Sequence, residues 1–379
     1  MRLKLGSTLI QLRWPSLISI RRRRGLILRW LWIIVGLAFV GHMVSGYLFH
    51  FALPEDINED DFLSFQPEVT EDFPTVAGQR PRIPHILHQT YRTEYVPAKY
   101  ASNIRSFMDH NPTWEYFLWT DESARKLIKE RRPNLLETWD SYRDNINRAD
   151  ALRYIVLYEF GGVYADLDVN CFRSLDRAMV KYACILPTEP FEQSAFKNKM
   201  PYFMNNAIIM CRPKHPFMKQ MLDNLHLSRA MYTNVDVAGP MFVTSEFLKY
   251  ANVAAGHLYK TLKVTGSLSP YFFKGNIKEE EDDGIYIPNT VYFLDTLNNH
   301  FEASHIAYVS ICKRFKQLSN IEQRACVDLK RRGFYRKRSP FTFTEHLWEQ
   351  SYGPLQKLWN PFGVSLKHIE RVVPSYKKY

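Results

Sequence analysis

The chain has 379 residues, 46% hydrophobic and 15% aromatic, ample for one large globular domain with extensions. Its net charge of +11 would suit a nucleic-acid binder, but the basicity is local. Residues 1–29 hold eight cations and no acid (Arg2, Lys4, Arg13, Arg21, Arg22, Arg23, Arg24, Arg29), which leaves +3 for everything after them and argues against nucleic acid as a partner.

Directly after the arginines, an apolar run from Trp30 to Phe51 has about the twenty residues that a bilayer crossing needs. Cations on its N-terminal side place that end in the cytosol. The run is long for a signal-peptide core and lacks a small-x-small cleavage site, so a retained anchor is expected. The predicted layout is a basic cytosolic tail over residues 1–24 and a transmembrane signal anchor over 25–53. An acidic, Pro-containing stem over 54–80, a globular domain over 81–352 and a polar tail over 353–379 follow. The five cysteines show no zinc spacing. In an oxidising lumen Cys312 and Cys326 are the natural local pair, and the odd count leaves at least one thiol over.

Pro84 to Thr90 reads as the first strand of the domain, apolar and then polar at its end. Helical patterning follows from about Lys99 to His110. Next comes a β-rich stretch, Trp114 to Trp119, ending in Thr120-Asp121, which could cap a helix from Glu122 to Glu130. Strand, helix, strand, helix at this spacing predicts an α/β fold, a Rossmann-type, mostly parallel sheet flanked by helices. Ligands of such sheets bind at the carboxyl ends of the strands, which puts His88, Gln89, Asp121 and the later Asp166/Asp168 pair on one rim. A strong helix runs through Arg148, Asp150, Arg153 and Tyr154, with Ile146, Ala149, Leu152 and Val156 as its apolar stripe. Asp150 and Arg153 are i,i+3 neighbours, and an ordinary surface ion pair is the plain alternative for them.

That helix ends at Gly161-Gly162, a short apolar run follows, and Asp166-Leu167-Asp168 closes it. In a strand, residues i and i+2 share a face, so the two carboxylates should point the same way. At about 4 Å and an effective dielectric near 20 they repel by roughly 4 kcal/mol, a cost that a cation removes. Hard oxygen ligands suit Mn²⁺ or Mg²⁺ bridging to a diphosphate. An EF-hand loop starting at Asp166 fails, because its sixth and twelfth positions are Cys171 and Arg177. A phosphatase with an aspartyl nucleophile remains an alternative reading of the same pair.

The ordered segments resemble glycosyltransferase family 32, the Asp-x-Asp group that includes inositol phosphorylceramide mannosyltransferases and initiating α-1,6-mannosyltransferases. The matching segments are Ile83 to Thr90, Arg148 to Tyr154, Gly161 to Asp168, and Asn206-Ala207 before Lys214-His215-Pro216-Phe217. Gly239-Pro240 and His346-x-Trp348-x-x-Ser351-Tyr352 complete the series. The resemblance implies a GT-A-like catalytic domain, a nucleotide-sugar donor, Mn²⁺ (or Mg²⁺) and retention of configuration. It implies metal ligation by Asp166, Asp168 and His346, with Asn206 at the transfer centre. Donor contacts would come from Arg148, Asp150, Arg153, Tyr154, Gly239, Pro240 and Ser351. The family motif ends in Ser-Trp, whereas Tyr352 stands here. The implied protein is a single-pass, type II Golgi membrane hexosyltransferase with its domain in the lumen. The acceptor would be a glycolipid or glycan and mannose from GDP-mannose the first expectation for the donor. UDP-galactose or UDP-N-acetylglucosamine transfer, and a non-catalytic lumenal binding protein, are the alternatives. The basic stretch from Lys330 to Arg338 reads as a solvated surface, or as a patch that attracts an acidic acceptor or lipid headgroups.

Overall fold

The computed structural model describes residues 28–41, 68–231, 233–252, 271–272, 283–298, 305–334, 336–349 and 364–379. Of the expected anchor it describes an exposed helix over residues 28–41; the rest of that segment and the cytosolic tail lie outside the described residues. Among the described residues, no helix is long and apolar enough to cross a membrane.

Among the described residues, eleven short strands and nine principal helices build the domain. The strands are β1 (Ile86–Thr90), β2 (Tyr95–Pro97), β3 (Glu115–Trp119), β4 (Gly162–Ala165), β5 (Val169–Cys171) and β6 (Cys184–Ile185). β7 (Ile208–Cys211), β8 (Tyr271–Phe272), β9 (Ile285–Tyr286), β10 (Thr344–His346) and β11 (Leu366–His368) follow. The helices are α1 (Ala101–His110), α2 (Asp121–Arg131), α3 (Leu136–Ser141), α4 (Asn145–Phe160) and α5 (Phe191–Asn198). α6 (Pro216–Ser228), α7 (Pro240–Ala251), α8 (His305–Cys312) and α9 (Asn320–Arg332) complete the set.

The central sheet has seven strands in the order β3-β1-β4-β7-β6-β9-β8. β3, β1, β4, β6 and β9 run in one direction, and β7 and β8 run against them. Both faces are covered, which is why β4 and β7 read as continuous apolar runs. Tyr164, Ile209 and Cys211 pack under α4, α6 and α7. Val163, Ala165, Ile208 and Met210 face α1 and an aromatic group of Phe73, Phe293 and Phe343. Thr120, one residue ahead of the expected Asp121, caps α2 through a reciprocal box with Ser123.

The sequence at Gly161-Gly162 is dictated by close approach. Both have positive φ, and a β-carbon on Gly161 would lie 2.5 Å from Pro213 Cδ. On Gly162 it would lie 2.4 Å from the Ile86 carbonyl oxygen, a collision with the neighbouring strand's backbone. Only glycine lets α4 turn directly into β4 against β1.

Two expected boundaries move. Phe73, placed in the stem by its acidic surroundings, is fully buried and meets Tyr182, Tyr286, Tyr292, Phe293 and Phe343 edge-on. Asp72 beside it holds Arg173 through two 2.9 Å bonds. The expected tail also folds back: β11 pairs antiparallel with β2, and Ile369, Val372 and Val373 enter the core. Lys377 N–H donates to the Tyr116 carbonyl at 2.7 Å. A few apolar residues in each stretch are enough to dock it, and charge-rich neighbours hide that from a compositional reading.

Candidate active site

Asp166 and Asp168 are carried by a tight turn between β4 and β5, not by the strand itself. Asp166 N–H extends the ladder to the Ala207 carbonyl (2.8 Å), and Val169 N–H closes the turn on the Asp166 carbonyl (3.1 Å). β10 then pairs with β5 so that His346 lies opposite Val169. His346 Nε2 sits 3.3 Å from Asp168 Oδ2. Residues 347–349 pass over Asp168, with Leu347 N–H on its carbonyl and Glu349 N–H on its Oδ2, both at 2.9 Å. Lys99 pairs with the Glu349 carboxylate and ties this crossing to the start of α1. One donor atom each from Asp166, Asp168 and His346 lies within 4.8 Å of the others.

Beneath the carboxylates is a buried arginine. Arg153 pairs with Asp150 at 2.6 Å and with Asp166 at 3.4 Å, and it donates to the Asn206 carbonyl. Its guanidinium lies over the Tyr164 ring, 4.6 Å from the centroid. The Tyr164 hydroxyl donates to Asp166 Oδ1 at 2.9 Å. Asn206 Nδ2 donates to Asp150 Oδ1 (3.0 Å) and to the Tyr154 hydroxyl (3.3 Å), which itself donates to the Ala238 carbonyl (2.5 Å). The Asp150 and Arg153 side chains are 8% and 3% exposed, so this is no surface pair.

Burial, with the Asp168 charge adding and Arg153 opposing, raises the Asp166 carboxyl above its ordinary range. Burial also works against the Asp168 charge, but the hydrogen bond and charge of His346 and the Glu349 N–H outweigh it and hold that carboxyl low. Asp150 is pushed up to about 6 by burial, with Arg153 resisting. Opposite shifts on neighbouring carboxylates are what a crowded, incompletely neutralised anion pair produces.

A divalent ion fits this donor set. Two carboxylates offer hard oxygens and His346 an imidazole, a mixture that suits Mn²⁺ better than the all-oxygen preference of Mg²⁺. The His346 Nδ1 is buried without a partner among the described residues, so the ring's other nitrogen is all that the fold employs. Its ring also packs 4.4 Å from Trp348, so the aromatic and ligand readings of this histidine coexist.

Other expected site residues have different surroundings. His88 is buried with both ring nitrogens engaged, Nε2 with the Gly161 carbonyl (2.9 Å) and Nδ1 accepting from Trp119 Nε1 (3.1 Å). Burial lowers its pKa to about 4 against the Gly161 bond, so it stays neutral and braces the glycine turn. Gln89 donates to the Asp166 carbonyl at 3.4 Å and accepts from Tyr116, holding the turn from behind. Asp121 is exposed in the first turn of α2, its N–H on the Arg92 carbonyl. Arg148 braces the start of α4 through Asn145 Oδ1 (2.7 Å) and the Tyr142 carbonyl (2.6 Å). Gly239 and Pro240 open α7, beside the Ala238 carbonyl that anchors Tyr154. Ser351 lies outside the described residues.

The basic stretch divides: Arg332 and Arg336 turn inward, whereas Arg331, Lys337 and Arg338 stay exposed. Arg332 and Arg336 share Glu192 and Asp295, Arg331 meets Asp328, and Arg338 reaches Glu345. Tyr164 is the working residue that the sequence reading passed over. Its i−2 spacing from Asp166 was the available signal, obscured because alternate strand residues also serve the core.

Residues 97–186 match the family described as "Glycosyltransferase sugar-binding region containing DXD motif". An inositol phosphoceramide mannosyltransferase of Schizosaccharomyces pombe is 33% identical over 209 residues, 53% of this chain and 61% of its own. A mannosyl phosphorylinositol ceramide synthase of Saccharomyces cerevisiae is 36% identical over 186 residues, 48% of this chain and 46% of its own. An initiation-specific α-1,6-mannosyltransferase of Candida albicans is 25% identical over 133 residues, 33% of this chain and 32% of its own. The chain thus spans about half the length of these curated relatives. The Asp166–Asp168 turn and the buried Arg153 both lie inside the matched stretch, so the likeness of residues 97–186 to glycosyltransferase sugar-binding regions that contain a DXD motif falls on the site itself.

Proposed function

We propose that this chain is a retaining, Mn²⁺-dependent hexosyltransferase that moves mannose from GDP-mannose to an inositol phosphorylceramide-type glycolipid or a related glycan. The observation that carries the reading is one juxtaposition. A carboxylate–histidine cluster fit for a metal and diphosphate adjoins a buried Asp150–Arg153–Asn206 set fit for sugar hydroxyls. The names of the relatives support the donor sugar and the lipid acceptor.

Asp166, Asp168 and His346 would hold the ion, which when bound neutralises charge on the departing diphosphate. Arg153 fixes the Asp166 carboxylate and supplies a permanent positive charge below it. The Asn206 amide hydrogens are taken by Asp150 and Tyr154, so Asn206 and Asp150 would meet the hexose with acceptor oxygens, to which sugar hydroxyls donate. Glu349 N–H and Tyr164 keep the two carboxylates aimed together before any ligand arrives, so that little reorganisation is left for the reaction. The Cys312–Cys326 pair suits an oxidising compartment and supports lumenal placement behind the N-terminal anchor.

The experiment is donor hydrolysis and transfer by the purified full chain over a panel of GDP- and UDP-sugars with Mn²⁺. GDP-mannose is expected to be turned over fastest. A UDP-hexose at the head of the panel would replace the donor assignment. No turnover of any nucleotide sugar would favour the non-catalytic binding protein.

A further inference from the structure

Two polar atoms beside the sugar-binding set have no task in the arrangement described above. Tyr142 and Asn147 are 3% and 4% exposed. Among the described residues, the Tyr142 hydroxyl and Asn147 Oδ1 are buried without a hydrogen-bond partner. Buried polar atoms in folded proteins are nearly always paired, and an orphan carries a desolvation penalty that folding alone gives no reason to keep.

Both lie at the entrance to α4. Tyr142 follows α3 in extended conformation, and Arg148 fixes its carbonyl at 2.6 Å. Asn147 stands in the first turn of α4, where its N–H bonds to the Asp144 carbonyl at 3.1 Å. Residues 147, 150 and 154 recur at spacings of three and four, so they share one helix face. That face carries Asp150 and Tyr154, the two residues bound by Asn206. Tyr142 is close enough for the Asp150 charge to act on it. Burial first, and then that charge, push the phenol well above its ordinary range, so it remains a neutral hydrogen-bond donor.

We propose that Tyr142 and Asn147 form the part of the donor subsite that distinguishes one hexose from another, gripping a single ring hydroxyl between the Tyr142 O–H and the Asn147 side-chain oxygen. The proposal rests on the hexosyl-transfer reading. The ligand class is a nucleoside diphosphate hexose, and the feature read is the presence and orientation of that hydroxyl. A hydroxyl has one hydrogen and two lone pairs. It donates to Asn147 Oδ1 and accepts from Tyr142, which fixes its direction as well as its place. An epimer turns the group away and leaves both buried atoms unpaired. Sites built around a hydroxyl reject analogues lacking it far more strongly than apolar pockets do.

The test measures kcat/KM for GDP-mannose and its 2-, 3-, 4- and 6-deoxy analogues, or the same series on whichever donor proves preferred. Wild type, Tyr142→Phe and Asn147→Ala are compared as full chains, with thermal midpoint and free nucleotide affinity as folding controls. Wild type should lose about 100-fold or more on one particular deoxy donor. Each variant should lose a similar factor on the parent donor and nothing further on that deoxy donor. Losses on the other deoxy donors should be those of wild type, and nucleotide affinity should be unchanged. Equal losses on every donor, or no loss, would overturn the proposal while leaving hexosyl transfer standing. A wild-type chain that turns over no nucleotide sugar would overturn both.

Discussion

Asp168→Ala is expected to lower Mn²⁺-dependent transfer about a thousandfold or more, near 4 kcal/mol of transition-state stabilisation, without unfolding the chain. Asp168 is the better ionised member of the pair, since His346 and the Glu349 N–H hold its carboxyl low. Deleting it removes a proposed metal ligand and the acceptor for the segment over the site. It also removes one of two crowded anions, so stability in the absence of metal should change little. Asp168→Asn keeps the shape, loses the charge and should be nearly as impaired. The control is Asp176→Ala, an exposed acid that accepts from Trp114 Nε1 at 2.7 Å and should stay within a few-fold of wild type. Initial rates at saturating donor, with circular dichroism to confirm folding, decide the matter.

Arg153→Leu should fail differently, losing stability together with activity. The guanidinium is buried and answers Asp150, Asp166 and the Asn206 carbonyl at once. Its removal strands two carboxylates, which costs about 3–5 kcal/mol when a buried pair is broken from one side. The loss should depend on pH. Asp150 already titrates near 6 in the folded chain, above the ordinary carboxylate range, with burial as the main cause. Without Arg153 its folded pKa rises further, so the folded form holds a proton that the unfolded form has released. Stability then falls as pH rises through this interval, and denaturant midpoints should show a larger deficit at pH 8 than at pH 5. Arg153→Lys keeps the charge but not the fork and should sit between the two.

Much of the candidate site could be read from local spacing. Asp150 and Arg153 lie one helical turn apart, the glycines end that helix, and the two aspartates follow, so neighbours in sequence become neighbours in space. The mostly parallel sheet followed from alternating strands and helices for the same reason. His346 lies far along the chain, and only the pairing of β10 with β5 brings it to Asp168. His88 reads as a polar residue at a strand end, yet its partners are a carbonyl at residue 161 and an indole at residue 119, which no local pattern reveals. Phe73 and the group of Ile369, Val372 and Val373 were obscured because each is a small apolar anchor amid charged residues. The orphaned atoms of Tyr142 and Asn147 belong to this class too, since a missing partner is visible only once every neighbour is placed.

The most direct test of the metal–diphosphate account is calorimetric titration of GDP into the full chain, with Mn²⁺ and then with EDTA. The account predicts tight binding with Mn²⁺, a large loss on chelation, and disappearance of the metal-dependent increment in both Asp168→Ala and His346→Ala. GDP binding that is equally tight in EDTA, or a full Mn²⁺ increment retained by Asp168→Ala, would contradict it.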